Sequence, residues 1–135
     1  MTRPEQNVHA YATPIWQRFR EPRHAGRLTA GPSVFTAEAG SAAVRASLRL
    51  QVKMDGPRVG QARFQAYGCP SAIAVGEWLA EQLEQQSPST WAAIDAATIR
   101  TVLEISEDKA HCALMGEDVL RALTQTMSGP VSSKS

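Results

Sequence analysis

Three side chains in this sequence are metal ligands or nucleophiles placed where a fold could use them: Cys69, His111 and Cys112. Cys69 lies at a change of pattern. Before it, Ala62, Phe64 and Ala66 alternate with Arg63, Gln65 and Tyr67, the period of a half-buried strand. After it, Ile73, Gly76, Leu79, Ala80 and Leu83 follow helical spacing. Pro70 suits a first helical position, so Cys69 is the expected N-cap. Its sulfur would then meet unpaired backbone N–H groups and the positive end of the helix dipole. Both favour the thiolate, the form that binds metals and attacks electrophiles. The alternative is a small buried cysteine that only caps a helix, since free cysteine is among the most buried residue types. His111 and Cys112 stand near the start of a second helix. Two helix N-termini meeting over one end of a small sheet would gather two thiolates and an imidazole, a set suited to zinc or iron. The alternative here is that Cys112 belongs to the core, on the apolar stripe of its helix, with His111 solvated beside it. Cys69 and His111 could also pair as nucleophile and base, but no third group that would orient the histidine is evident.

Other chemistries find less support. There is no glycine-rich phosphate loop after a strand and no G-x-S-x-G elbow. Glu117 and Asp118 are adjacent on a helix, so they point apart and read as a solvated face. His9 has no partner in sequence and reads as solvated, and His24 reads as a turn residue.

The bounds are those of an ordinary globular protein. The 135 residues make one domain, 1–135, and 43% hydrophobic with 20% charged residues indicates a soluble chain with a core. A net charge of +1 points to no nucleic-acid partner and no acidic membrane surface. No apolar run approaches the roughly 20 residues of a membrane span, and the N-terminus has no apolar signal core. Two distant cysteines make no disulfide framework, so a reducing, cytoplasmic location is expected.

The elements that must position these residues read as follows. Residues 1–12 are loose. A short helix begins at Pro14, capped by Thr13, and stops before Pro22. Residues 21–26 form a turn, 33–38 a first strand, and 40–46 a loop. Leu48, Leu50, Val52 and Met54 alternate with Ser47, Arg49, Gln51 and Lys53, the clearest strand pattern in the chain. Asp55-Gly56-Pro57 then turns into the strand 59–67, giving an antiparallel hairpin with one apolar face. A helix follows from Pro70 to about Gln86. Ser87-Pro88 opens a short helix through Trp91 and Ile94, and Asp95 caps another through Leu103. The last helix runs from about Lys109 to Met127, with Cys112, Met115, Val119 and Ala122 on one stripe. Ser128-Gly129-Pro130 ends it, and residues 128–135 form a disordered tail. The fold class is therefore α+β: a small antiparallel three-stranded sheet with helices packed on one face.

Several spaced motifs resemble the U-type iron–sulfur scaffold family, IscU and the NifU N-terminal domain. Glu21-Pro22-Arg23-His24-Ala25-Gly26 resembles its N-P-R-N-x-G turn, and Leu48 to Lys53 resembles its K-L-Q-I-K strand. Ala62 to Ala74 resembles A-R-F-K-x-Y-G-C-G-S-A-I-A, and His111 to Asp118 resembles H-C-S-x-L-A-E-D. The match is collinear over roughly residues 14–125. It implies a non-enzymatic protein that assembles a [2Fe–2S] cluster, takes sulfur from a cysteine desulfurase and passes the cluster to acceptor apo-proteins. On this resemblance Cys69 and Cys112 match the family's second and third cysteines, His111 its histidine and Lys109 a nearby lysine.

The family's first site, G-A-P-A-C-G-D, falls on Gly40 to Ala46. Val44 stands at the first cysteine and Ala46 at the aspartate, and neither side chain can ligate a metal. Ile105-Ser106-Glu107-Asp108-Lys109 keeps the lysine of the chaperone-recognition segment and loses both prolines, which weakens the expectation of chaperone-driven release. The resemblance thus implies a divergent scaffold with an incomplete Cys69, His111, Cys112 set for iron, a [2Fe–2S] cluster or zinc. The alternative is a paralogue that docks a cysteine desulfurase without binding a cluster.

Overall fold

The hairpin expected from alternation supplies the central strand of the sheet and one of its edges. A computed structural model describes residues 11–43 and 45–133, with side chains as far as Met127. Strand β2 (Ala46–Asp55) pairs antiparallel with β3 (Arg58–Tyr67), Leu50 opposite Phe64 and Val52 opposite Ala62. Leu48, Leu50 and Val52 are fully buried, so the apolar face read from the sequence is the inner face. Strand β1 (Val34–Ser41) pairs with the other side of β2, giving the antiparallel order β1-β2-β3. β1 reaches farther than the pattern suggested. Gly40 and Ser41 pair with Ser47 and Ala46, where a loop was expected. The reason is steric: at Gly40, φ is +115° and a Cβ would lie 2.3 Å from the Ala46 carbonyl oxygen, so a residue that looks like a loop signal is what lets the strands close.

The helices cover the inner face. They are α1 (Thr13–Arg20), α2 (Pro70–Leu83), α3 (Ala96–Leu103) and α4 (Ala110–Ser133), with 3₁₀ turns at Pro88–Ala93 and Glu107–Lys109. α2 is enclosed almost all round, by the sheet, α1 and α4, and Ala74 to Ala80 are buried without a break. Cys112, Met115 and Val119 line the buried side of α4, with Leu120 and Leu123 beside them.

The boundaries move at four places. Ala12, not Thr13, caps α1. α2 stops at Leu83 rather than near Gln86, because Glu84 to Gln86 run along the free edge of β3. There Val59 N–H donates to the Gln86 carbonyl at 2.9 Å and Gln85 N–H to the Val59 carbonyl at 2.7 Å. α4 starts at Ala110 and runs past Ser128-Gly129-Pro130 to Ser133. Pro130 forfeits one backbone hydrogen bond without turning the chain out of the helical region. Of the tail read as disordered, residues 128–133 are therefore helical, and 134–135 lie outside the described residues. So do His9, most of the N-terminal stretch read as loose, and Val44.

The largest departure is His24. Read as a turn residue without a local partner, it is tied to residues far along the chain. Its Nδ1 lies 2.7 Å from Glu77 Oε2 and its Nε2 3.0 Å from Glu84 Oε1, while its backbone N–H donates to Glu77 Oε1 at 2.7 Å. Phe64 N–H donates to the His24 carbonyl at 3.0 Å and Gly26 N–H to the Phe64 carbonyl at 2.9 Å, so His24–Gly26 lies as a strap on the β3 edge. Glu84 also accepts from Ala62 N–H at 2.8 Å and Arg63 Nη1 at 3.0 Å. Beside this clasp, Arg18 on α1 forks onto Glu81 of α2, with contacts of 2.9 and 3.1 Å. Glu117 departs from a purely solvated role as well: it is partly buried and its Oε1 accepts the Ala96 N–H at 2.8 Å, at the start of α3. Asp118 beside it is exposed.

Candidate functional site

Two helix starts meet at one end of the sheet. Strand β3 ends at Tyr67, and Gly68 turns the chain so that Cys69 caps α2 in an extended conformation, φ −82° and ψ 173°. The short 3₁₀ turn Glu107–Lys109 delivers Cys112 to the first turn of α4. The two sulfurs stand 4.0 Å apart across a sequence separation of 43, a distance set by the fold rather than by local sequence. Cys69 is half-buried and Cys112 fully buried.

The pair holds its protons unequally. The Cys112 S–H donates toward Cys69, and this, more than any other contact, lowers the Cys69 thiol to about 4. Burial works against that shift, while the Ala72 and Ser71 N–H groups and the Lys109 charge reinforce it. No hydrogen bond of regular capping geometry joins Sγ to the helix, so these N–H groups act through proximity and dipole orientation. Cys112 moves the opposite way: its hydrogen bond to Cys69, then burial, then the Cys69 charge push it far above the ordinary thiol range. One thiolate shared by two sulfurs is what the arrangement favours.

Around the pair, the structure separates the residues that the sequence grouped. His111 is half-buried and lines a cavity of about 320 Å³ with Gly40, Ser41 and Leu114, beside β1. Among the described residues, no group of three or more His, Cys, Asp and Glu side chains converges to hold a metal ion. Ala46 is buried, its Cβ 3.3 Å from where a Cβ on Gly68 would be, so a methyl group fills the space next to the Cys69 turn. Arg45 is exposed with φ 54° and lines a cavity of about 350 Å³ with Tyr67, itself 71% exposed.

Tyr11 was not anticipated. It lies just before α1, and its phenol is raised from its ordinary value, first by burial and then by the Cys69 charge, with a hydrogen bond to Cys69 adding to the effect. Lys109 acts in the opposite direction on the same group. Nothing in the local spacing marks Tyr11. Only the packing of α1 against α2 brings the chain's first described residue to a cysteine 58 positions later.

Two sulfurs at 4.0 Å are close to adjacent corners of a metal tetrahedron, which lie roughly 3.8 Å apart when metal–sulfur bonds are about 2.3 Å. The residues present fit half of a four-coordinate site. They also fit a reactive dithiol.

The sequence of the family described as NifU-like N terminal domain matches residues 10–129. A relative in Haemophilus influenzae, "Iron-sulfur cluster assembly scaffold protein IscU", is 32% identical over 115 residues, covering 84% of this chain and 91% of that protein. The "Nitrogen fixation protein NifU" of a Nostoc strain is 29% identical, over 88% of this chain and 42% of that longer protein. In fold, the chain superposes on the N-terminal part of a NifU-like protein from Brucella abortus with a TM-score of 0.71 at 13% identity, covering 92% and 95% of the two chains.

Proposed function

The chain belongs to the family of NifU-like N-terminal domains, and on that premise we propose that it acts as an iron–sulfur cluster assembly scaffold whose own ligand set has narrowed to a cysteine pair. Its cargo is iron or a [2Fe–2S] cluster, or a zinc ion held in the same place. Cys69 and Cys112 are the ligands and sulfur acceptors, and His111 is an auxiliary ligand that must turn from its β1-side cavity to reach them. The partners are a cysteine desulfurase, which supplies sulfur, and apo-proteins that accept the product. The observation that carries this reading is the 4.0 Å approach of the two sulfurs at the meeting of two helix starts. Lys109 adds a positive charge that favours the thiolate form of both sulfurs, the form that binds metal. Ala46 supplies no donor, and neither does a valine at position 44, so the remaining coordination positions are filled from outside the pair: water, a small thiol or a second copy of the chain.

Anaerobic reconstitution with iron, sulfide and a desulfurase tests this. The expected result is visible charge-transfer absorbance that Cys69→Ser and Cys112→Ser each abolish. The loss in metal affinity should exceed the roughly 10–100-fold typical of removing an outer-shell partner. Protein that takes up neither iron under these conditions nor zinc when it is offered separately would sink the reading.

A second reading has its own observation. The buried methyl of Ala46 and the absence of three convergent donors among the described residues suit a paralogue that docks a desulfurase without building a cluster. Recovery of a desulfurase by the wild type and equally by both serine variants, with no cluster formed by any of them, would favour it.

A further inference from the structure

We propose that Cys69 and Cys112 form a reactive dithiol that exchanges with low-molecular-weight disulfides, Cys69 attacking and Cys112 resolving. The reaction uses the residues of the scaffold reading but does not depend on any cargo. Three observations carry it. Cys69 sits half-buried at the rim of the α2 start, within reach of a small molecule. Cys112 is 0% exposed, so an external disulfide cannot reach it, and the route to its sulfur runs through Cys69. The sulfurs are 4.0 Å apart, and closing them to a bond of about 2.05 Å needs a movement of about 2 Å, within the range of side-chain rotation and a small shift of the Gly68 turn. The chain has only these two cysteines, so no other thiol of the same molecule can compete for the resolving step.

The exchange balances as follows. The Cys69 thiolate attacks one sulfur of R–S–S–R. The reagent's S–S bond breaks, a Cys69–S–S–R bond forms, and RS⁻ leaves and takes a proton from solvent. Cys112 then attacks the Cys69 sulfur. The mixed disulfide breaks, the Cys69–Cys112 bond forms, and the second RS⁻ leaves with the proton that Cys112 gives up. Two electrons pass from the protein to the reagent, which is reduced to two RSH. A protein of the same fold with an accessible cysteine but no buried partner would stop at the mixed disulfide. Here the partner is in place.

The probe is oxidised glutathione, offered to the reduced, metal-stripped full chain and followed by intact mass. The wild type is expected to lose two hydrogens and retain no adduct. Cys112→Ser should hold one glutathione adduct, at a fraction at least about tenfold above the wild type, and Cys69→Ser should show neither product. Far-UV circular dichroism of both variants establishes that they are folded. A lasting adduct on the wild type, an adduct on Cys69→Ser, or a disulfide-linked dimer as the main product would each overturn the proposal. A parallel arm adds zinc before the probe. Exchange by the metal-free chain supports the dithiol even where no zinc binds, and zinc binding without exchange overturns it, so the two readings fail separately.

Discussion

Replacing Glu77 with alanine should destabilise the protein by about 3 kcal/mol, at the low end of the range for removing one partner of a buried ion pair. Glu77 is 1% exposed, and both its oxygens are committed to His24, one to the backbone N–H and one to the ring. Its removal orphans both groups. The loss stays at the low end because His24 can shed its proton and keeps Glu84. The pH dependence gives the variant a signature. Burial opposes the charge on His24, but the hydrogen bonds it donates to Glu77 and Glu84 outweigh it and hold the imidazole above its ordinary value. The clasp therefore contributes fully below about pH 6.5, the unfolded value, and its contribution is lost as pH rises through the higher folded value. Glu84 has the opposite sign. Burial opposes its ionisation, but the Ala62 N–H, His24 and Arg63 together depress it, so its share is present above the ordinary carboxylate value and is lost as pH falls through the depressed one. Glu77 itself is raised, burial outweighing His24. Urea titrations from pH 5.5 to 8.5 should show wild-type stability falling toward the alkaline end and a flatter profile for His24→Gln. Equal slopes for the two proteins would refute the clasp.

The second large effect is at Gly76. A Cβ there would stand 2.4, 2.8 and 2.9 Å from three ring carbons of Phe64, against the 3.5–4.0 Å of an ordinary carbon contact. Helix propensity favours alanine over glycine by about 1 kcal/mol. Overpacking a filled core costs about 1–3 kcal/mol, and Phe64, 2% exposed between α2 and the sheet, has nowhere to go. Overpacking wins. Gly76→Ala should be less stable than the wild type and Gly76→Val less stable still, since a branched side chain adds volume and lowers helix propensity. Phe64→Leu makes room for the new methyl. The double variant Phe64→Leu, Gly76→Ala should therefore be more stable than the sum of its parts by at least about 1 kcal/mol, and a double-mutant cycle with no coupling would show that the ring is not the obstacle.

Glycine 76 also shows what could be read in advance. Its spacing places it on the apolar side of α2, where it is buried, because periodicity reports which side faces the core. What stands opposite it depends on strand register, which periodicity does not carry. The same division runs through the chain. Leu48, Leu50 and Val52 announced the inner face of β2, and Pro70 announced the α2 start with Cys69 as its cap. Those signals are local. His24 has none, since its partners lie 53 and 60 residues away, and Tyr11 has none either. Gly40 misled because glycine marks both loops and places where two backbones must touch. Gly129-Pro130 misled because a helix can carry a proline at the cost of one hydrogen bond. At the site, the helix-start logic places Cys69 and Cys112 within 4.0 Å, while His111, adjacent in sequence to Cys112, lines the cavity beside β1, because successive helical residues diverge by about 100°.

The strap along β3 bears on what becomes of this protein when it loosens. A free strand edge is a row of unpaired donors and acceptors that another chain can adopt as a template. Here His24–Gly26 occupies that edge at Phe64, Glu84–Gln86 occupies it at Val59 and Ala62, and one imidazole fastens the two segments. Protection against edge-to-edge association is thus held by a titratable group rather than by a proline or an inward charge on the strand. Glu77→Ala should accordingly do more than soften the fold. At alkaline pH it should scatter light and form sheet-rich assemblies at concentrations where the wild type stays dispersed.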